Sequence, residues 1–216
     1  MIKEIVCFGD SNTYGLIAGT KRDRYDRNTR WTGRLEKALA PLGYHLAEEG
    51  LCGRTTIFPD PTRPGRNGSA VLPYLLETHH PISHVILMLG TNDCKTQYHA
   101  TAAQIADGIS LLIKQIRAED PSIRILLVSP IHLGDGVGEP GYDPEFNAQS
   151  VAVSHQLKAA YQRIAHEEHC DFLAASDLAA PSPVDREHLT EEGHRRLASA
   201  LFDRLLHSNL STRQAV

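Results

Sequence analysis

Cysteine is scarce in this 216-residue chain, and its four copies, Cys7, Cys52, Cys94 and Cys170, lie far apart with no CxxC pair. That spacing excludes a disulfide framework or a zinc ribbon as the basis of the fold. Cys7 and Cys52 read as buried packing, and no redox role is expected for Cys94. Long hydrophobic runs are also missing, and none approaches the roughly 18 residues of a membrane span. Nor does charge of one sign dominate. The 22 basic residues are interleaved with 26 acidic ones for a net charge of −4, which leaves no electrostatic footprint for nucleic acid. A small neutral ligand suits this balance better than a polyanion. The N-terminal residues show no basic segment followed by an apolar stretch and a cleavage site, so a cytoplasmic location is expected. Internal repeats and low-complexity tracts are absent as well.

What is present is alternation. Apolar runs of strand length recur at 2–8, 44–51, 84–89, 123–128 and 171–173, separated by amphipathic stretches at 32–40, 68–78, 101–118, 150–168 and 191–206. In the third of these, Ile105, Ile109, Leu112, Ile113 and Ile116 recur at helical spacing. Strands alternating with helices predict a parallel sheet covered on both faces. The expected fold is therefore a three-layer α/β/α sandwich around a five-stranded parallel sheet, flavodoxin-like in outline. The length suits a single domain over 1–216, able to bury about 70% of the surface its unfolded chain exposes. The polar tail, 207–216, is expected to fray.

Three irregular segments punctuate the pattern. Residues 54–67 carry Pro59, Pro61, Pro64 and Gly65, too much punctuation for a helix. Residues 130–147 are rich in glycine and proline and also hold Tyr142 and Phe146, the composition of a lid or entrance wall. Residues 15–28 form a charged excursion, Lys21-Arg22-Asp23-Arg24-Tyr25-Asp26-Arg27, and are expected to be solvated surface.

The first apolar run ends in Gly9-Asp10-Ser11-Asn12-Thr13-Tyr14-Gly15. A serine at the carboxyl end of a strand in an α/β sheet stands at the rim where such sheets bind ligands, beside helix-start amides. Ser11 is therefore a candidate nucleophile, although alone it would read as a helix N-cap. A hydroxyl needs a base, a group that orients the base, and donors for the charge that develops on a carbonyl oxygen. In Asp185-Arg186-Glu187-His188-Leu189-Thr190, an Asp three residues before a His can fold back to accept the Nδ1 proton and leave Nε2 free. Glu187 is expected to face solvent, and Thr190 to cap the last helix. Asn92, in Gly90-Thr91-Asn92-Asp93, would emerge at the same sheet edge as Ser11 with a side-chain amide to donate. Gly53, after the second strand, would let a backbone N–H approach closely. Ser11 N–H, Gly53 N–H and the Asn92 side chain are thus three candidate oxyanion donors.

These four segments, in this order, resemble the SGNH hydrolases, or GDSL-type esterases, over nearly the whole chain. The resemblance implies a nucleophile at Ser11, oxyanion positions at Gly53 and Asn92, and a base and partner at His188 and Asp185. Arg30-Trp31-Thr32-Gly33, Glu49-Gly50-Leu51, Arg54-Thr55-Thr56 and Met88-Leu89-Gly90-Thr91-Asn92-Asp93 look most like the bacterial arylesterase and acyltransferase branch. Two positions depart from it: Asn12 stands where the family name has leucine, and Tyr14 where related arylesterases often carry tryptophan. The resemblance implies hydrolysis of small carboxylic esters with short acyl or aryl groups, acyl transfer to alcohols, no cofactor, and assembly as a homo-oligomer through its loops. A carbohydrate O-acetyl esterase is the alternative within the family. Proximity to the motifs nominates Asp10, Tyr14, Trp31, Ile57, Phe58 and Tyr98 as substrate-pocket lining.

Two competing readings remain weaker. Among twelve histidines the densest group, His166-Glu167-Glu168-His169-Cys170, matches no metal-ligand spacing and reads as cations near a helix C-terminus. No metal is expected. A flavodoxin-like phosphate binder would need the loop after the first strand to attract an anion, yet that loop holds Asp10 and no lysine or arginine.

Overall fold

The computed structural model of the protein describes residues 3–211. Five strands, β1 (Lys3–Gly9), β2 (Tyr44–Gly50), β3 (Ile82–Met88), β4 (Arg124–Ser129) and β5 (Asp171–Ala174), form one parallel sheet in the order β2-β1-β3-β4-β5. The helices are α1 (Ser11–Tyr14), α2 (Trp31–Leu39), α3 (Gly68–Thr78), α4 (Ala102–Glu119), α5 (Ala148–Glu167) and α6 (Glu191–Ser211). The expected three-layer sandwich is the observed one.

Alternation along each strand splits the core in two. From β1, Val6 and Phe8 face one layer with α3, α4 and α5, while Ile5 and Cys7 face the other with α2 and α6. The apolar stripe of α4 follows its 3.6-residue period, and Ile105, Ile109, Leu112, Ile113 and Ile116 are all fully buried. Each such side chain contributes about 1.5–3 kcal/mol relative to exposure. Thr101 and Gln104 close a capping box at the start of α4. Asn147 and Ser150 do the same for α5, so that helix starts two residues before its sequence pattern does. The final helix continues through Ser211, beyond the expected start of the frayed tail, and residues 212–216 lie outside the described ones. Among the described residues no helix is long and apolar enough to cross a membrane, and the four cysteines are free thiols.

This topology brings strand ends together. In register, Gly9 of β1 stands beside Gly50 of β2 and Met88 of β3, so the segments after all three leave from one edge. The short helix α1 packs directly onto that edge: a Cβ at Gly50 would lie 2.2 Å from the Tyr14 amide nitrogen. Only glycine admits that approach.

Candidate active site

Ser11 begins α1, whose cap is not Ser11 but Asp10, with its side chain accepting from Asn12 N at 2.9 Å. The serine hydroxyl is therefore free of the capping duty. His188 approaches from the loop before α6, and its Nε2 lies 2.9 Å from Ser11 Oγ across 177 positions of chain. On the other side of the ring, Nδ1 lies 2.7 Å from Asp185 Oδ2. The Asp185 carboxylate also accepts from the backbone amides of Glu187 (3.1 Å) and His188 (3.0 Å), the one-turn fold-back its spacing predicts. A further donor, Gly19 N at 3.0 Å, comes from the charged excursion. A proton on Nδ1 would be held by Asp185, an arrangement that leaves Nε2 facing Ser11 Oγ. Thr190 accepts from Gly193 N at 3.1 Å and caps α6, as expected.

Burial by itself raises the Asp185 carboxyl, but hydrogen bonds and charge from His188, with the two backbone amides, outweigh it and hold the group at about 2. For His188, burial opposes the charged ring, yet Glu187, Asp185 and Asp10 together raise its pKa above the ordinary value. Burial raises Glu187 as well. Contrary to expectation Glu187 does not face bulk solvent: it is 7% exposed and its Oε1 sits 3.8 Å from His188 Nε2.

The pH consequence has a definite sign. With His188 as the base for Ser11, only its neutral form would be active, so kcat/KM should rise with pH along a limb centred above the usual histidine value of about 6.5. Glu187→Gln removes the nearest extra negative charge and should move that limb to lower pH. A pH–rate profile of both proteins checks this, and a limb that stays in place would contradict the electrostatic role given to Glu187.

The segments that carry two of the candidate oxyanion donors, Gly53 and Asn92, are tied to each other. Asn92 lies in a turn of 3-10 helix, Asn92–Cys94, just past β3, and its Nδ2 donates to Arg54 O at 3.2 Å. Thr56 N donates to Asp93 Oδ1 at 2.9 Å, locking the loop after Gly53 onto the same turn. Gly53 has φ +84°, and a Cβ there would lie 2.5 Å from Arg63 Nη2. The backbone conformation favours glycine, and any larger residue would also have to displace the Arg63 guanidinium. Arg63 is itself held by buried Asp60, with Nε donating to Oδ2 at 2.9 Å.

Residues 7–196 match the GDSL-like Lipase/Acylhydrolase family. The chain belongs to that family. Among solved structures, Est24, a carbohydrate acetylesterase from Sinorhizobium meliloti, is 34% identical with a TM-score of 0.87, covering 95% of this chain and 99% of its own. The native aryl esterase of M. smegmatis is 33% identical with a TM-score of 0.86, over the same shares of the two chains. No curated protein matches the sequence.

In this GDSL-like acylhydrolase, Ser11, Gly53, Asn92, Asp185 and His188 all open onto one cleft of about 470 Å³. The residues nominated by motif proximity do not line this cleft. Trp31 is 1% exposed in the α2–α6 core layer, with Nε1 donating to Asn12 O at 3.1 Å. Phe58 and Tyr98 pack against each other with tilted rings, centroids 5.2 Å apart, and Ile57 lies beside Gly108 of α4. Tyr14 is covered by Arg24, 4.4 Å from its ring. Asp10 is buried behind Ser11, and burial raises its pKa to about 6.

Polar, charged and backbone groups line the cleft, together with Leu16, Cys52, Tyr142, Pro144 and Val184. Leu16, Gly19, Thr20 and Lys21 form one wall, so the excursion at 15–28 is not merely solvated surface. The 130–147 loop supplies Tyr142 and Asp143 among others, the wall its composition suggested, and the 54–67 loop supplies Arg63. Sequence reasoning also missed what Asn12 does. Its Oδ1 accepts from Leu189 N at 2.8 Å and its Nδ2 donates to Glu187 O at 3.5 Å, so one amide grips the backbone on both sides of His188. The available signal was the departure from leucine at that position.

Proposed function

We propose that Ser11 attacks the ester carbonyl with His188 as base, Asp185 as the group that orients the base, and Ser11 N–H, Gly53 N–H and Asn92 Nδ2 as oxyanion donors. Membership of the GDSL-like acylhydrolases makes the chain a serine carboxylic ester hydrolase. The residue assignment rests on one observation above all: the 2.9 Å approach of His188 Nε2 to Ser11 Oγ, continued at 2.7 Å to Asp185, on the floor of an open cleft. As Oγ bonds to the carbonyl carbon, its proton passes to Nε2, and the imidazolium then protonates the departing alcohol. Water reverses the sequence and releases the acid.

The cleft also favours a particular kind of ester. Its aliphatic side chains are Leu16, Pro144 and Val184, whereas Lys21, Arg63, Lys95, Asp143, Glu145 and Glu187 present charge. Small acyl groups fit that surface better than long chains, and a polyhydroxylated alcohol would find both donors and acceptors. This observation favours the second reading, an acetyl esterase acting on carbohydrate esters, the activity named for Est24. A cytoplasmic location belongs to the proposal, supported by the free thiols. So does a homo-oligomer, supported by the exposed Tyr74 and Leu111. A panel of acetyl to octanoyl aryl esters beside acetylated sugars tests the substrate class. Turnover should fall as the acyl chain lengthens, and sugar acetates should be cleaved at least as well as aryl acetates. Indifference to acyl length with no turnover of sugar acetates would refute both preferences.

A further inference from the structure

In the reaction just described, Glu187, a buried carboxylate on the cleft, touches none of the reacting atoms and acts only through its charge on His188. Glu187 lies 3.8 Å from His188 Nε2, and Asn12 Nδ2 holds its backbone carbonyl at 3.5 Å. Its carboxylate also feels Asp143, Lys95 and Asp185. Before acylation Nε2 serves Ser11. Afterwards Oγ is part of the acyl ester, and Nε2 must meet a new proton donor, the incoming acceptor. An acceptor oxygen placed about 2.8 Å from Nε2 can also lie within hydrogen-bond reach of Glu187 Oε1.

Acceptors differ in what they bring to that position. Water has two O–H groups, one for Nε2 and one for Glu187. A simple alcohol has a single O–H, which Nε2 takes, and it turns an alkyl group toward the carboxylate. Burial pushes Glu187 up to about 7, so above that pH it is a carboxylate, to which hydrogen bonds are of the stronger kind and whose desolvation without a partner is costly. We propose that Glu187 positions the attacking water for deacylation and so biases this enzyme toward hydrolysis and against acyl transfer to simple alcohols. The inference rests on the serine-esterase reading above. In the step, water oxygen bonds to the acyl carbon as one proton passes to Nε2. The other O–H stays donated to Glu187. Collapse breaks the carbon–Oγ bond, His188 returns the proton to Ser11, and the carboxylic acid leaves.

The test is a product ratio. With p-nitrophenyl acetate and added ethanol, the ethyl acetate-to-acetate ratio is divided by the ethanol-to-water ratio. For the wild type this partition should lie below one. Glu187→Leu removes the second acceptor and should raise it about tenfold, whereas Glu187→Gln, which keeps an acceptor oxygen, should change it less than about threefold. A test without mutation compares ethylene glycol with ethanol: the second hydroxyl can reach Glu187, and the partition per hydroxyl should exceed that of ethanol by about threefold or more. A wild-type partition at or above one, equal partition for glycol and ethanol, or a Glu187→Leu value unchanged from wild type would overturn the role of Glu187 alone. If the wild type released no p-nitrophenol, the esterase reading would fall and this inference with it.

Discussion

Ser11→Ala should lower ester turnover by on the order of 10⁴-fold or more while leaving the protein folded. The size of the effect follows from the chemistry. Without Oγ there is no acyl-enzyme, and His188 can at best direct water onto a carbonyl held by the remaining donors. The fold should tolerate the change because Ser11 is 3% exposed and the helix it begins is capped by Asp10, not by the serine itself. Alanine removes one oxygen and adds no volume. Release of p-nitrophenol, read beside a thermal melt, separates loss of chemistry from loss of structure. Turnover within tenfold of wild type in a well-folded variant would exclude Ser11 as the nucleophile.

Asn92→Ala should slow kcat by roughly a hundred- to a thousandfold, the loss of about 2.7–4 kcal/mol seen when one oxyanion donor is removed. KM should change far less, because negative charge on the carbonyl oxygen develops only as the bond to Ser11 forms. Asn92 is 2% exposed and its amide is already oriented by the Arg54 carbonyl at 3.2 Å. It therefore needs little reorganisation when the oxyanion appears. The same contact means that the variant also loses about 1 kcal/mol of stability, which a denaturant midpoint would register. An unchanged kcat on a short-chain ester would move the oxyanion site elsewhere in the cleft.

The sheet and its helices were largely legible in the sequence because their signals are local and periodic. The stripe of isoleucines in α4 and the apolar run of β3 place those elements to within about two residues, the usual error at element ends. The helix start at Ala148 was missed because the Asn147–Ser150 capping box outranks the apolar pattern there. The juxtaposition of Ser11, Gly53 and Asn92 was legible for a topological reason: each follows a parallel strand, and parallel strands end at one edge. Asp185 and His188 were legible through a three-residue spacing that closes within a single turn. The walls of the cleft were not. Trp31, Phe58 and Tyr98 are near the motifs in sequence, but large apolar side chains are drawn to the core and to one another, so proximity along the chain says little about where they point. Conversely, a segment as charged as 21–27 reads as surface, and nothing local reveals that its preceding residues fold across the site to bring Gly19 N to Asp185. Glu187 was misjudged because a carboxylate is usually solvated, and its backbone contacts to Asn12 and Asp185 are not visible in the local sequence.

The pairing of Ser11 with His188 is tested most directly by a fluorophosphonate probe followed by peptide mass analysis. The expected result is one covalent adduct per chain, located on Ser11, forming in step with loss of esterase activity and at least about a hundredfold more slowly in His188→Ala. An adduct on any other residue that accompanies inactivation, or full labelling speed without His188, would contradict it.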